Sequence, residues 1–141
     1  MTLTERDYDV LTRTLWGEAR SEGVVGQIAV GWTIRNRVND IRANSWWGEG
    51  YAGVCLKPWQ FSCWNQNDPN YIYLSGAKLI PAGQFAQARR AVDLVIAGTI
   101  PDPTNGATHY YAITMPKAPA WAAEAKQTLR LGNHIFFKDV P

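Results

Sequence analysis

The stretch Leu15-Trp16-Gly17-Glu18-Ala19-Arg20 decides how this chain is read. It closes an amphipathic helical pattern. Tyr8, Leu11 and Leu15 fall on one face, and Glu18 continues that row at helical spacing. A carboxyl group among apolar neighbours is costly to ionise, and one that keeps its proton near neutral pH can act as a general acid. The plainer reading places Glu18 at the edge of the face with an arginine partner, Arg20 or Arg35, because carboxylates near helix ends are mostly structural. Upstream, Thr4-x-x-Asp7 carries a capping signal, so the pattern predicts a helix from there to about Arg20. Ser21-Glu22-Gly23 breaks it.

Working outward, a second helix is predicted from about Val24 to Val38. Its apolar residues (Val25, Ile28, Ala29, Val30, Trp32, Ile34) cover much of its surface, which makes it central. Gly26 and Gly31 would let a neighbour approach closely. From Asn39 to Gly83 the pattern is mostly loop, with a short helix at Tyr51 to Leu56, and a loop region of that length is often functional. Helical periodicity returns from Gln84 to Ala97, and Gly98 suits the C-cap. Pro101-Asp102-Pro103 and Asn105-Gly106 mark turns, Thr108 to Ala112 reads as a strand, and Pro119 to Ala125 as one or two helical turns. Gln127 to Arg130 and His134 to Lys138 flank a hairpin turn at Leu131-Gly132-Asn133. The expected fold is α+β: mostly helical, with a small antiparallel sheet.

Composition narrows the class. The chain has 141 residues, long enough for one domain with a real core, and 46% hydrophobic against 18% charged residues argues against disorder. The net charge of +2 comes from scattered basic residues, and no nucleic-acid-binding signature is present. No stretch reaches the length of a membrane span, so stable membrane insertion is not expected. The polar start, Met1 to Asp7, lacks the basic and apolar regions of a signal peptide. Cys55 and Cys63 allow one bridge or two buried thiols, but no zinc site by themselves. Seven Trp, six Tyr and four Phe are more unusual. Trp46, Trp47, Trp59, Trp64, Tyr71 and Tyr73 fall in the loop-rich middle, where they either plug a core or offer flat faces to sugar rings.

Five blocks in order carry a resemblance. They are Leu15 to Gly23; Gly26 to Val30 with Asn36-Arg37-Val38; Gln60-Phe61-Ser62-Cys63-Trp64; Gly106 to Tyr111; and Pro119-Ala120-Trp121-Ala122 with Gly132 to Phe137. Together they resemble the SleB-type cell wall hydrolases, known from spore germination enzymes and from phage lysis proteins. The resemblance implies a lysozyme-like catalytic domain over residues 1–141, acting on peptidoglycan glycan strands, with Glu18 as the catalytic acid. With two histidines and no metal-binding motif, no cofactor and no metal are expected. A separate wall-binding module is not expected within this length, and a monomer is expected. The missing signal peptide fits a phage endolysin, which passes from the host cytoplasm to the periplasm through a membrane lesion made by another protein.

The chemistry of glycan cleavage bears on the choice of reaction. A hydrolytic muramidase needs two carboxylates flanking the scissile bond. Glu22 is the nearest second carboxylate in sequence, and Glu49 and Asp68 in the long loop region stay open. A lytic transglycosylase needs only one residue, acting as acid and then base, because the sugar's own 6-hydroxyl attacks its anomeric carbon. Gln60 and Ser62, if extended, share one face and could bond N-acetyl or hydroxyl groups. Trp64 belongs to the same block. Thr108 and Tyr110 share one face of the next strand, and His109 and Tyr111 the other; the resemblance makes this block groove lining without saying which face turns inward. Trp121 covers the core or borders the groove, and His134 reads as structural. Two other classes stay open: a Cys/His wall peptidase using Cys63 or Cys55 with His109 or His134, and a non-catalytic glycan-binding module.

Overall fold

The computed structural model describes residues 3–40, 46–58 and 60–141. Trp59, one of the middle aromatics, lies outside the described residues. Thr4 opens the first helix, α1 (Glu5–Ala19), through a reciprocal cap. Its hydroxyl accepts from the Asp7 backbone N–H at 3.1 Å, and the Asp7 carboxylate accepts from the Thr4 backbone N–H at 3.0 Å. The expected break becomes a single 3-10 turn, Arg20–Glu22, and Gly23 with φ +70° leads into α2 (Gly23–Val38).

Helix α2 packs against α1, against α3 (Gly50–Leu56) and against α5 (Ala82–Ala97). Leu11, Leu15, Val30, Ile34, Val54, Val92 and Val95 are all fully buried where these helices meet. Gly31 faces Val95 so closely that an added Cβ would lie 2.9 Å from its Cγ2. Val25, expected in the core, is 62% exposed, on the outer side of a turn whose Gly26 is buried and whose Val24 packs against the core. Helix α5 begins at Ala82, slightly before the periodicity predicts, and Gly98 closes it in the left-handed conformation. The long middle segment is less of a loop than expected. Besides α3 it holds a 3-10 turn at Ser62–Trp64 and a one-turn helix, α4 (Tyr71–Leu74).

The last third of the chain builds a three-stranded antiparallel sheet from β1 (His109–Ala112), β2 (Lys126–Leu131) and β3 (His134–Lys138), in the order β1-β3-β2. β2 and β3 form the expected hairpin around Gly132 and Asn133, and Tyr110 of β1 sits opposite Phe136 of β3. Phe136, 1% exposed, points the sheet's inner face at the helical core. The fold is thus the mostly helical α+β arrangement read from the sequence, with the sheet brought against the C-terminal end of α1.

Candidate active site

The helical row that carries Glu18 is buried at Leu11 and Leu15 and opens to partial exposure at Glu18 itself. Neither arginine of the plainer reading is its partner. Arg20 donates to the Asn70 side-chain carbonyl at 3.0 Å and lies over the Trp16 ring, and Arg35 donates to the Val95 carbonyl at 2.6 Å. Two other side chains meet the carboxylate instead. The Tyr110 hydroxyl, from β1, donates to Glu18 Oε1. The Cys63 thiol, from the 3-10 turn, lies beside it and lines the same depression. Gly17 makes the second contact possible. A Cβ there would lie 2.8 Å from Cys63 Cβ and 2.9 Å from its Sγ, so only glycine lets this turn press against the helix.

Glu18 opens into a depression of about 370 Å³, shared with Ser62, Cys63, Asp68, Tyr110 and His134 among others. Burial, with the nearby Glu18 carboxylate adding to it, pushes the Tyr110 hydroxyl well above its usual pKa, so it stays a donor. The same two causes push the Cys63 thiol up, and burial pushes the Cys55 thiol up to about 12. Both cysteines are free, buried and unbridged. A protonated buried thiol is a poor nucleophile, and the neighbour of Cys63 is a carboxylate rather than a histidine, which counts against the Cys/His peptidase.

Glu22 is fully committed elsewhere. Its Oε2 meets His134 Nδ1 at 2.5 Å, and its Oε1 accepts from the Asn133 backbone N–H at 2.6 Å. It therefore ties the β2–β3 turn to the start of α2. Gly132, at φ +56°, is required there, since a Cβ would come 2.1 Å from Glu22 Oε1. His134 is correspondingly held, and its ring stands edge-on to Tyr110 with centroids 5.0 Å apart. Glu49 does not line the depression. Asp68 does, with Oδ1 accepting from the Asn70 backbone N–H at 2.8 Å.

Beside this depression lies a second, of about 260 Å³, lined by Arg37, Trp47, Gln60, His109, Tyr110 and Trp121; Tyr110 is the wall between them. Four of the residues singled out in the sequence thus gather here: Gln60, His109, Tyr110 and Trp121. Gln60 needs correction as a sugar contact. Both N–H bonds of its amide are spent on the Trp47 and Val54 carbonyls, at 2.6 and 2.9 Å, and its oxygen accepts from Arg37 at 2.8 Å. The segment passes into a 3-10 turn at Ser62 rather than running on as a strand, so the alternation that would put Gln60 and Ser62 on one face is absent. Trp64 also needs correction. Its indole N–H donates to Thr14 Oγ1 at 2.9 Å, and its ring borders a different cavity, with Leu56, Lys57 and Phe61. Thr108 pairs its hydroxyl with His109 Nδ1 at 2.9 Å and gives its carbonyl to Arg37, so it braces the wall and lines neither depression. Ser62 is exposed at the rim of the first depression.

Sequence reasoning missed Arg37, and it offered Trp47 only as one of several middle aromatics that either plug a core or face a sugar. Arg37 stood in a quoted block, but nothing in a helix of apolar residues announces that its one buried cation will surface between a loop and a strand. Among the described residues, no group of three or more His, Cys, Asp or Glu side chains is arranged to hold a metal ion.

About half helix, with a small three-stranded antiparallel sheet closing over one carboxylate at a helix end, the domain has the layout of an α+β catalytic domain. The comparisons make the class specific. The cell wall hydrolase family matches residues 21–137, and the chain belongs to that family. It is 30% identical to a spore cortex-lytic enzyme of Halalkalibacterium halodurans over 133 residues, which is 94% of this chain and 35% of that protein. It is 31% identical to the Bacillus subtilis spore cortex-lytic enzyme over 94% of this chain and 38% of that protein. The chain therefore spans little more than a third of these relatives. Solved structures of catalytic domains match it almost end to end. That of the germination-specific lytic transglycosylase SleB from Bacillus anthracis has a TM-score of 0.72 at 26% identity, covering 96% of this chain and 97% of that one. That of Bacillus cereus SleB has a TM-score of 0.73 at 26% identity, covering 97% and 93%. The family match begins after Glu18 and so says nothing of that residue.

Proposed function

We propose that this chain degrades peptidoglycan by cleaving the bond between N-acetylmuramic acid and N-acetylglucosamine, as a lytic transglycosylase with Glu18 as acid and then base. The observation that carries this reading is the placement of Glu18: in no ion pair with a described arginine, held by the Tyr110 hydroxyl, beside Cys63, and open to the 370 Å³ depression. In the reaction, the Glu18 carboxyl protonates the glycosidic oxygen. The bond from that oxygen to the muramic anomeric carbon breaks, and positive charge develops on the carbon. The 6-hydroxyl of the same sugar attacks it and forms the 1,6-anhydro bond. Its proton passes to the Glu18 carboxylate, which restores the acid. Intramolecular attack carries a large effective-concentration advantage when the ring is held in the right pucker. The engagement of Glu22 by His134 and the β2–β3 turn supports a one-carboxylate mechanism. Family membership and the likeness to a lytic transglycosylase domain support it as well.

One observation favours a second reading. Asp68 lines the same depression as Glu18 and would serve a hydrolytic muramidase as the water-activating carboxylate. Mass spectrometry of digested peptidoglycan, with and without borohydride reduction, separates the two. Transglycosylation gives muramic ends one water lighter than the hydrolytic product and resistant to reduction. Reducible muramic ends would overturn the transglycosylase and leave the muramidase. No glycan product at all would leave a binding module.

A further inference from the structure

The second depression has chemistry that sugar hydroxyls alone do not explain. Its floor is Arg37, 6% exposed and carried by the last turn of α2. A buried guanidinium is normally balanced by a carboxylate, because an unpaired buried charge is costly. Arg37 has no ion pair with a described residue. Its Nε donates to the Thr108 carbonyl at 2.6 Å and its Nη1 to the Gln60 side-chain oxygen at 2.8 Å, both neutral acceptors. Its Nη2 makes no hydrogen bond to a described residue. Burial, only partly offset by the nearby Tyr110, Cys55 and Glu18 groups, lowers its pKa to about 10, which leaves it cationic at neutral pH. The surrounding walls are aromatic. The guanidinium carbon lies 4.7 Å from the Trp47 ring centroid, and the His109 and Trp121 rings pack 4.9 Å apart. The indole N–H of Trp47 is buried without a partner.

An aromatic-walled pocket with one under-balanced cation selects a ring carrying an anion. Tyr110 separates it from Glu18 by the thickness of one side chain, so its occupant belongs to the same strand as the bond being broken. We propose that this pocket binds a carboxylate borne on the lactyl arm of a muramic sugar, paired with Arg37 Nη2, and that it thereby selects muramic residues carrying a free acid. Two sources share that chemistry: the lactyl carboxylate itself, and the carboxylate of a single amino acid attached to it. The inference rests on the glycan-strand reading above, but its readout is binding and needs no cleavage.

The probes are N-acetylmuramic acid, its L-alanine adduct, the methylamide of each, and N-acetylglucosamine. Each is titrated into the protein while the tryptophan indole resonances are followed by NMR. The two acids should move the Trp47 and Trp121 signals with at least about fivefold lower Kd than their methylamides, since charge-assisted hydrogen bonds are the strong ones. Whichever acid binds more tightly identifies the source. Arg37→Met should erase the difference between acid and amide. If that variant does not fold, the half-exposed Trp121→Ala should abolish the response in a protein that still melts cooperatively. Equal affinity for acid and amide, or for N-acetylglucosamine, overturns the inference, as does the absence of any response at Trp47 and Trp121. If the acids bind as expected but walls are not cleaved, the enzymatic reading fails alone. If walls are cleaved without discrimination between acid and amide, this inference fails alone.

Discussion

Glu18 has two different neighbours, a phenol on the sheet that donates to it and a thiol on the middle segment that lies beside it, and each makes a different demand on mutagenesis. Glu18→Gln keeps the shape and the fold but cannot donate and recover a proton. We expect wall cleavage to fall by about 10²–10⁴, the usual worth of general acid catalysis. Turbidity loss above a tenth of the normal rate would exclude Glu18 as the acid. Cys63→Ser nearly keeps the size of the group beside Glu18 and should keep cleavage. Cys55→Ser buries a hydroxyl where the thiol was fully enclosed and should cost about 1–3 kcal/mol in denaturant titrations, with the folded protein still active. Both thiols should resist iodoacetamide at neutral pH until the chain is unfolded, because Cys55 is pushed up to about 12 and Cys63 is raised as well. Rapid alkylation of the folded protein with loss of cleavage would restore the peptidase.

The helices were readable because each carries its own instructions: the Thr4–Asp7 cap, the Tyr8–Leu11–Leu15 row and the glycine at 98 act within a few residues of where they sit. The β2–β3 hairpin was readable for the same reason. What stayed hidden depends on partners far away in sequence. Gln60 looked like a sugar ligand because its bonds to Arg37, Trp47 and Val54 have no local signature. Gly17 looked like part of a motif, but its physical task is set by Cys63 across the fold. Gly17→Ala should therefore push the 3-10 turn off α1, costing about 1–3 kcal/mol by overpacking, and should lower cleavage in the protein that remains folded. Unchanged melting and activity would refute this. The start of α1 adds an acid-side signature. Partial burial alone would raise the Asp7 pKa, but backbone hydrogen bonds from Thr4 and Ala52 outweigh it and hold the carboxyl below 3.8. A depressed folded pKa contributes stability that is present above the unfolded value and lost as pH falls through the folded one. Asp7→Asn should thus flatten the stability–pH curve below about pH 4, and an unaltered curve would show that the cap is electrostatically silent.

Taken whole, the molecule places its helical core in the first part of the chain and its sheet in the last, with the site in the seam between them. The two histidines are already engaged, His134 with Glu22 and His109 with Thr108. Chelators should therefore leave cleavage nearly unchanged, measured as turbidity loss after dialysis against EDTA, and a strong loss restored by a divalent cation would require a metal site that these side chains do not form.

The contacts that assemble the seam span great distances along the chain: 92 residues from Glu18 to Tyr110 and 112 from Glu22 to His134. Order of synthesis then matters. A polypeptide leaving the ribosome acquires Glu18 and Glu22 long before the strand and the turn that meet them. Between those points the nascent chain carries the carboxylate with nothing to orient it, so a product cut short before β3 is expected to cleave no wall, as turbidity loss would read.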